Sequence, residues 1–358
     1  MTGIDEHWWI YPLLGFLLTA ALLIPAKYIA LHLKFVDRPG GRKQHVEPVP
    51  PIGGLVFIPV FMILAHISGL GVTDYPYFYG AVTLLWLTGA IDDRFRLSAI
   101  IKLSVQFLAA GLIVFGDGAM VTYLGNLFGL GDIWLGLVAP VFTILCVVLL
   151  INAINMLDGL DGLAGGTGLI MLCWLIIGAA IYGGGHIISL PLLILSCVLL
   201  GFLLHNMQAP GRKQAGLFMG DAGSTCLGLI LAWAVIHLSQ SDPLYGDAAI
   251  TPITVAWILA LPVYDALSLF AYRLSQKRNP FSPDRRHAHY LLRDAGYSIG
   301  RSVAIIHILV FISCILGLLA APFGAPPLPF MIGWIALFIA HILLTFGVWR
   351  IPQVAQSS

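Results

Sequence analysis

Residues 141–162 read VFTILCVVLLINAINMLDGLDG. From Trp134 to Ile151 the chain carries no charged residue, and then Asn152, Asn155, Asp158 and Asp161 arrive at intervals of three. An uncharged stretch of about eighteen apolar residues is long enough to cross the hydrocarbon core of a bilayer as a helix. The polar cluster that ends it sits where such a helix would leave the lipid. Whether the rest of the chain repeats this pattern decides the fold.

It does. Of 358 residues 59% are hydrophobic and only 10% are Asp, Glu, Lys or Arg, with a mean hydropathy of +0.93. Soluble domains carry about 25% charged residues, so the composition excludes an ordinary soluble enzyme and points to an all-α integral membrane protein. Apolar runs of spanning length fall at 8–31, 52–71, 77–91, 99–115, 134–151, 164–182, 189–207, 223–240, 250–270, 301–321 and 329–349. Eleven transmembrane helices are therefore expected. The first run is too long for a signal h-region and follows acids rather than lysines, so it is read as a retained span. The five cysteines lie inside apolar runs without CxxC or Cys/His spacing and read as small core residues.

Charge placement orients the helices. When the intervening loops are numbered alternately, all 18 Lys and Arg residues fall on one side, while the opposite loops carry only acids such as Asp74, Asp117 and Asp132. By the positive-inside rule the basic side is cytoplasmic, the N-terminus outside and the C-terminus inside. The reading is one polytopic domain over 1–358, with cytoplasmic loops 32–51, 92–98, 152–163, 207–222 and 271–300. No inverted repeat is visible.

The same alternation gathers the unusual polar residues at the cytoplasmic face. Asp92-Asp93 closes the third run, and adjacent acids at a helix end in lipid need a polar cavity, a cation or a partner. Asp158 and Asp161, spaced by three, share one face of any helical turn, and Asn152 and Asn155 extend it. Caps and Asx-turns explain any one of these residues but poorly explain all four. GLFMGDAGS (216–224) puts Asp221 in a Gly-flanked turn at a helix start, a place suited either to a cap or to close backbone approach by a ligand. Asp265 lies near the inner end of the ninth run. It is followed by NPFSPDRRHAHY (279–290), part of a segment with seven basic residues over 273–301, more than topology requires and suited to phosphate. Carboxylates and phosphate-binding bases on one membrane face imply a divalent cation with oxygen ligands, Mg²⁺ or Mn²⁺.

Taken in order, DRPGGRKQHVEPVPPIGG (37–54), IDDRF (91–95), NAINMLDGLDGLAGG (152–166), GLFMGDAGS and NPFSPDRRHAHY resemble the polyprenyl-phosphate N-acetylhexosamine-1-phosphate transferases, WecA-type more than MraY-type. The resemblance covers essentially the whole chain. It implies that undecaprenyl phosphate attacks the sugar-linked phosphorus of a UDP-N-acetylhexosamine, with N-acetylglucosamine as the expected sugar, releasing UMP. The lipid-diphosphate-sugar formed would start O-antigen, enterobacterial-common-antigen or other cell-surface glycan synthesis in the bacterial inner membrane. The resemblance implies dependence on Mg²⁺ or Mn²⁺, with Asp221 as a metal ligand and Asp92 or Asp93 contacting the metal or acting as base. Asp158 and Asp161 join the catalytic candidates. Asn155, Asp158, Gly159, Leu160 and Asp161 would line a uridine pocket and Phe218 would stack on uracil, with Lys43 and His45 also assigned to the UDP-sugar. Arg285, Arg286, His287 and His289 would face the diphosphate or sugar. Asp265 and Asn152 receive no definite role. The expected partners are the two substrates and the bilayer, with a homodimer left open and no nucleic acid.

Two positions depart from the family pattern. Arg96 stands where a further acid often follows the pair, and Tyr290 replaces a histidine in the histidine motif, which here reads HAHY. The alternatives are another UDP-N-acetylhexosamine or UDP-MurNAc-pentapeptide as donor and, from another class, an ion- or proton-coupled transporter. A transporter places its ionisable groups near the midplane at broken helices, whereas here they collect at one face.

Overall fold

Asp221–Ser239 forms a helix that is apolar on every face and almost wholly buried, and the rest of the protein is arranged around it. The computed structural model describes residues 7–37, 48–182, 186–208, 214–241, 248–279, 284–319, 326–348 and 351. In chain order α1 is Ile10–His32, α2 Gly53–Ile67, α3 Pro76–Phe95 and α4 Ala99–Gly111. A π-helical turn, Leu112–Gly116, prolongs α4. A short hairpin of β1 (Tyr123–Gly125) and β2 (Ile133–Trp134) then leads through a 3₁₀ turn to α5, Ala139–Leu157. α6 is Leu163–Tyr182, α7 His186–Asn206 and α8 the central Asp221–Ser239. The chain ends with α9 Pro252–Ile258, α10 Ala260–Ser275, α11 Ala288–Asp294, α12 Ile299–Leu319 and α13 Pro327–Thr345.

The protein is an all-α integral membrane protein. Each of the eleven expected runs coincides with a helix, with a helix extended by a π turn, or with a bent pair. Among the described residues eight helices are long and apolar enough to cross a membrane, and nine if α9 and α10 form one broken span. The expected count of eleven also includes α2, which has only 15 residues, and α3, which ends in Asp92, Asp93 and Arg94. Rows of outward leucines on α1, among them Leu13, Leu17 and Leu22, show why the fold needs lipid, because so much exposed apolar surface does not persist in water.

The run expected over 250–270 breaks instead, with α9 and α10 meeting at 72°. Pro262 explains it. Its missing N–H would have bonded the carbonyl of Ile258, and its ring crowds that same carbonyl, so the helix stops there and restarts. The bend brings the far end of α10 toward the ends of α5 and α8.

α2 and α3 press onto the first turn of α8 through glycines. A Cβ on Gly54 would overlap the backbone of Gly223, and one on Gly89 would overlap that of Ala222. α5 and α7 close the other sides, and Phe57, Phe202 and Leu227 fill the space between. This packing sets the depth of Asp221, the first residue of α8, relative to the carboxylates of α3.

Candidate active site

A cavity of about 330 Å³ lies where α4, α5, α8, α10 and α11 converge. Its acidic wall is built from helix ends. The central feature is the ammonium of Lys102, which sits between two carboxylates, 2.8 Å from Asp92 Oδ2 and 3.1 Å from Asp221 Oδ2. Lys102 stands one turn into α4, whose start is fixed by Ser98 accepting the Ile101 amide. Gln106, one turn further on, points into the same space and accepts from Asn152 Nδ2 at 2.6 Å. Asn155 donates to Asp221 Oδ1 at 3.0 Å and to Ser224 Oγ at 2.9 Å, so Asp221 is held from both sides.

The two acids of the adjacent pair do different work. Asp92 accepts the Leu97 amide with one oxygen and turns the other to Lys102. Asp93 accepts the amides of Asp221 and Ala222 at 3.0 and 3.4 Å, capping α8 from another helix where Gly220 supplies no side chain. Neither acid lines the cavity itself, but Asp92 is joined to it through Lys102, whereas Asp93 is spent on the cap. Arg96, in the place of a further acid, ends α3 in the left-handed conformation with φ of 55° and points to solvent.

Asp158 and Asp161 also separate. Asp158 lines the cavity, and desolvation together with the nearby Asp221 and Asp161 carboxylates pushes it up to about 7. Asp161 Oδ2 instead accepts from Gln208 Nε2 and from the Ala215 amide at 2.9 Å, tying the α7–α8 connection to the end of α5. Leu160 packs into the core. Phe218 is used through its backbone, its amide donating to Pro50 and its carbonyl accepting from Gly53, and it does not line the cavity. Lys43 and His45 lie outside the described residues.

The basic wall comes from α10 and α11. Arg273, buried, and Asp284 line it at 3.9 Å from each other. His287 and His289 stack at 5.2 Å and both face the cavity. Both ring nitrogens of His289 are buried and find no hydrogen-bond partner among the described residues, and burial holds it down at about 4, so the ring is neutral near pH 7. The ring lies so close to Gly159 that a Cβ there would stand 2.5 Å from Nε2. A larger residue at 159 would have to displace that ring. Tyr290, the substituted motif position, lines the cavity with its ring 4.3 Å from His289. Arg285 pairs with Asp294 at 3.2 Å, and Arg286 donates to the Thr345 carbonyl over the Tyr272 ring. Neither arginine lines the cavity.

The expected residues within the described segments therefore sort into those that line the cavity (Asn152, Asn155, Asp158, Gly159, Asp221, His287 and His289), Asp92, which is joined to it through Lys102, and those that hold the frame. Lys102, Gln106, Arg273 and Tyr290 are cavity residues that sequence patterning gave no site role. Lys102 and Arg273 were visible only as topological charges. Their helical phase relative to Gln106 and to Asp265 was the usable signal.

Against known proteins, the Glycosyl transferase family 4 pattern matches residues 75–239, from the start of α3 to the end of α8, enclosing the acidic wall. The chain is 31% identical to the undecaprenyl-phosphate alpha-N-acetylglucosaminyl 1-phosphate transferase of Yersinia pestis, covering 95% of this chain and 91% of that protein. The chain belongs to the polyprenyl-phosphate N-acetylhexosamine-1-phosphate transferase family. A second relative of this transferase, from Escherichia coli O157:H7 and bearing the same name, is 31% identical over 95% of the chain and 91% of the relative. A third, from Haemophilus influenzae, is 29% identical over 95% and 94%. The histidine wall of this transferase lies beyond the matched segment, so it is the cavity that ties α10 and α11 to the matched acidic wall.

Proposed function

We propose that the protein transfers N-acetylglucosamine 1-phosphate from UDP-N-acetylglucosamine to undecaprenyl phosphate at the cytoplasmic face of a bacterial inner membrane, with Mg²⁺ or Mn²⁺. The printed activity of the relatives supports the sugar and the lipid acceptor. The observation that carries the reading is the convergence of two carboxylates, Asp92 and Asp221, on one cationic group across a single cavity from Arg273, His287 and His289.

An oxygen of the lipid phosphate forms a bond to the sugar-bearing phosphorus, and the bond from that phosphorus to the bridging oxygen breaks, releasing UMP. A phosphate monoester with a second pKa of about 6 is largely ionised near neutrality, so little base catalysis is required. Positioning and neutralisation of charge on the phosphoryl oxygens carry most of the acceleration. Lys102 and Arg273 supply fixed positive charge at the cavity, and Asn155 holds the Asp221 carboxylate in one orientation.

The residues fit a hard divalent cation. Two carboxylate oxygens already share one positive charge, the Lys102 ammonium, and among the described residues no group of three or more His, Cys, Asp or Glu forms a closed protein cage. Mg²⁺ typically takes one or two carboxylates and completes its shell with substrate phosphate and water. Asp92 and Asp221 would hold it, and bound there it would supply Lewis-acid polarisation of the diphosphate.

The test is UMP release by purified protein given UDP-N-acetylglucosamine and undecaprenyl phosphate in detergent. Release that requires both the lipid and a divalent cation, and stops with EDTA, is the expected result. No UMP with any UDP-N-acetylhexosamine would refute the reading.

A further inference from the structure

Behind His287 runs a buried polar chain that does not itself line the cavity. Asp265 of α10, only 2% exposed, accepts from His287 Nδ1 at 2.7 Å with one oxygen and from the Ala288 amide at 2.8 Å with the other. His287 is the N-cap residue of α11 but its own side chain does not cap, so Asp265 performs that task from another helix. On the far side His341 of α13 places Nε2 3.7 Å from Asp265 Oδ1, while its Nδ1 meets Ser268 Oγ at 3.2 Å. One turn further on, the Thr345 carbonyl accepts from Arg286, the residue preceding His287. The last membrane helix is thus bonded to the histidine loop at Thr345 and faces it a second time at His341, through Asp265.

The chemistry of these partners fixes a proton. A buried carboxylate has only acceptors to offer, so the nitrogen it meets must be Nδ1–H. With Nδ1 so engaged, the Nε2 side of His287 is left for the cavity, and the ring cannot turn over without stranding Asp265. Which nitrogen of a histidine is available is commonly set by the bond its other nitrogen makes. We propose that Asp265 and His341 are positioning residues that fix the tautomer and direction of His287 toward the substrate phosphates, so that α13 contributes to phosphoryl transfer from outside the cavity. The proposal rests on the transferase reading for its substrate, though not for its geometry.

The two are separated by a substrate-free measurement. In protein labelled with ¹⁵N-histidine, with the His287 signal assigned through His287→Gln, Nδ1 should carry the proton near neutral pH. In Asp265→Asn the amide oxygen has to accept the Ala288 amide, and the amide NH₂ then faces Nδ1, which should move the proton to Nε2. A wild-type Nδ1 without a proton, or an unchanged tautomer in Asp265→Asn, overturns the proposal whatever the activity.

Turnover supplies the second arm. Asp265→Asn should lower kcat by about 10- to 100-fold, the range for partners that orient a functional histidine, with KM for the UDP-sugar within about threefold of wild type. His341→Leu should cost roughly tenfold in kcat and His341→Gln, which keeps a donor, roughly threefold or less. In a His287→Gln background His341→Leu should cost nothing further. A full additional loss there, or a defect carried by KM alone, makes these residues structural and sinks the proposal. If wild-type protein releases no UMP, the transferase reading fails while the histidine spectrum still decides the relay.

Discussion

The acidic and basic walls of the cavity are built in opposite ways. On the acidic side each carboxylate sits at or just past a helix end whose position is set by backbone packing, with Gly54 and Gly89 against the first turn of α8 and Asp93 capping it. On the basic side α11 is a two-turn helix held to α10 and α13 by side-chain bonds, chiefly from the Ala288 amide to Asp265 and from Arg286 to the Thr345 carbonyl. The first wall is rigid because main chains touch. The second owes its geometry to a few buried polar bonds and is therefore easier to disturb one residue at a time.

The largest effect that tests this contrast is at Asp221. Asp221→Asn keeps the shape but removes the charge, and turnover should fall by about a thousandfold or more while the protein stays folded. Wild-type rates in that variant would break the acidic wall as a functional unit.

A comparison within the adjacent pair sharpens it. Asp92→Ala should lower kcat by roughly 100-fold with little change in Tm. Asp93→Ala removes the interhelical cap of α8, worth about 0.5–2 kcal/mol, and should lower Tm by several degrees. Equal loss of turnover with no loss of stability in both variants would contradict the division of labour.

On the basic side His289→Ala should weaken UDP-sugar binding, raising KM about tenfold, because this neutral cavity ring has two buried nitrogens with no partner among the described residues. Arg285→Ala, an exposed ion pair outside the cavity, should change turnover by less than about twofold. A reversed order of these two effects would mean that the loop closes differently around substrate.

The smallest expected effect depends on pH. Asp158 is pushed up to about 7, against an ordinary carboxylate value near 4, so the folded state holds its proton more tightly than the unfolded chain does. Stability from this group therefore falls as pH rises from about 4 through about 7. Asp158→Asn, read without substrate and in EDTA, should raise Tm by several degrees at about pH 8.5 and leave it unchanged at about pH 3, where the carboxyl is protonated in both states. A rise at the lower pH instead would contradict the sign.

Much of this architecture was legible in the sequence because lipid imposes simple rules. The run before Asn152 had to be a helix, and alternating charge sorted Asp92, Asp158, Asp221 and His287 onto one end. The break in the ninth run was also written locally, in Pro262, although hydropathy alone reads 250–270 as one segment. What spacing does not encode is which of two neighbouring polar residues turns inward. Asp92 and Asp93, or Asp158 and Asp161, are alike in composition and context, and only the approach of α8 and of Gln208 and Ala215 assigns one of each pair to framework. Lys102 was hidden for the same reason, since its two partners lie 10 and 119 residues away.

The central claim is that the phosphate travels with the sugar. UDP-N-acetylglucosamine labelled with ³²P in the β position, incubated with the protein, undecaprenyl phosphate and Mg²⁺, should give labelled lipid and unlabelled UMP. Label recovered in released UDP, with an unlabelled glycolipid, would mean transfer of the sugar alone and would contradict the account.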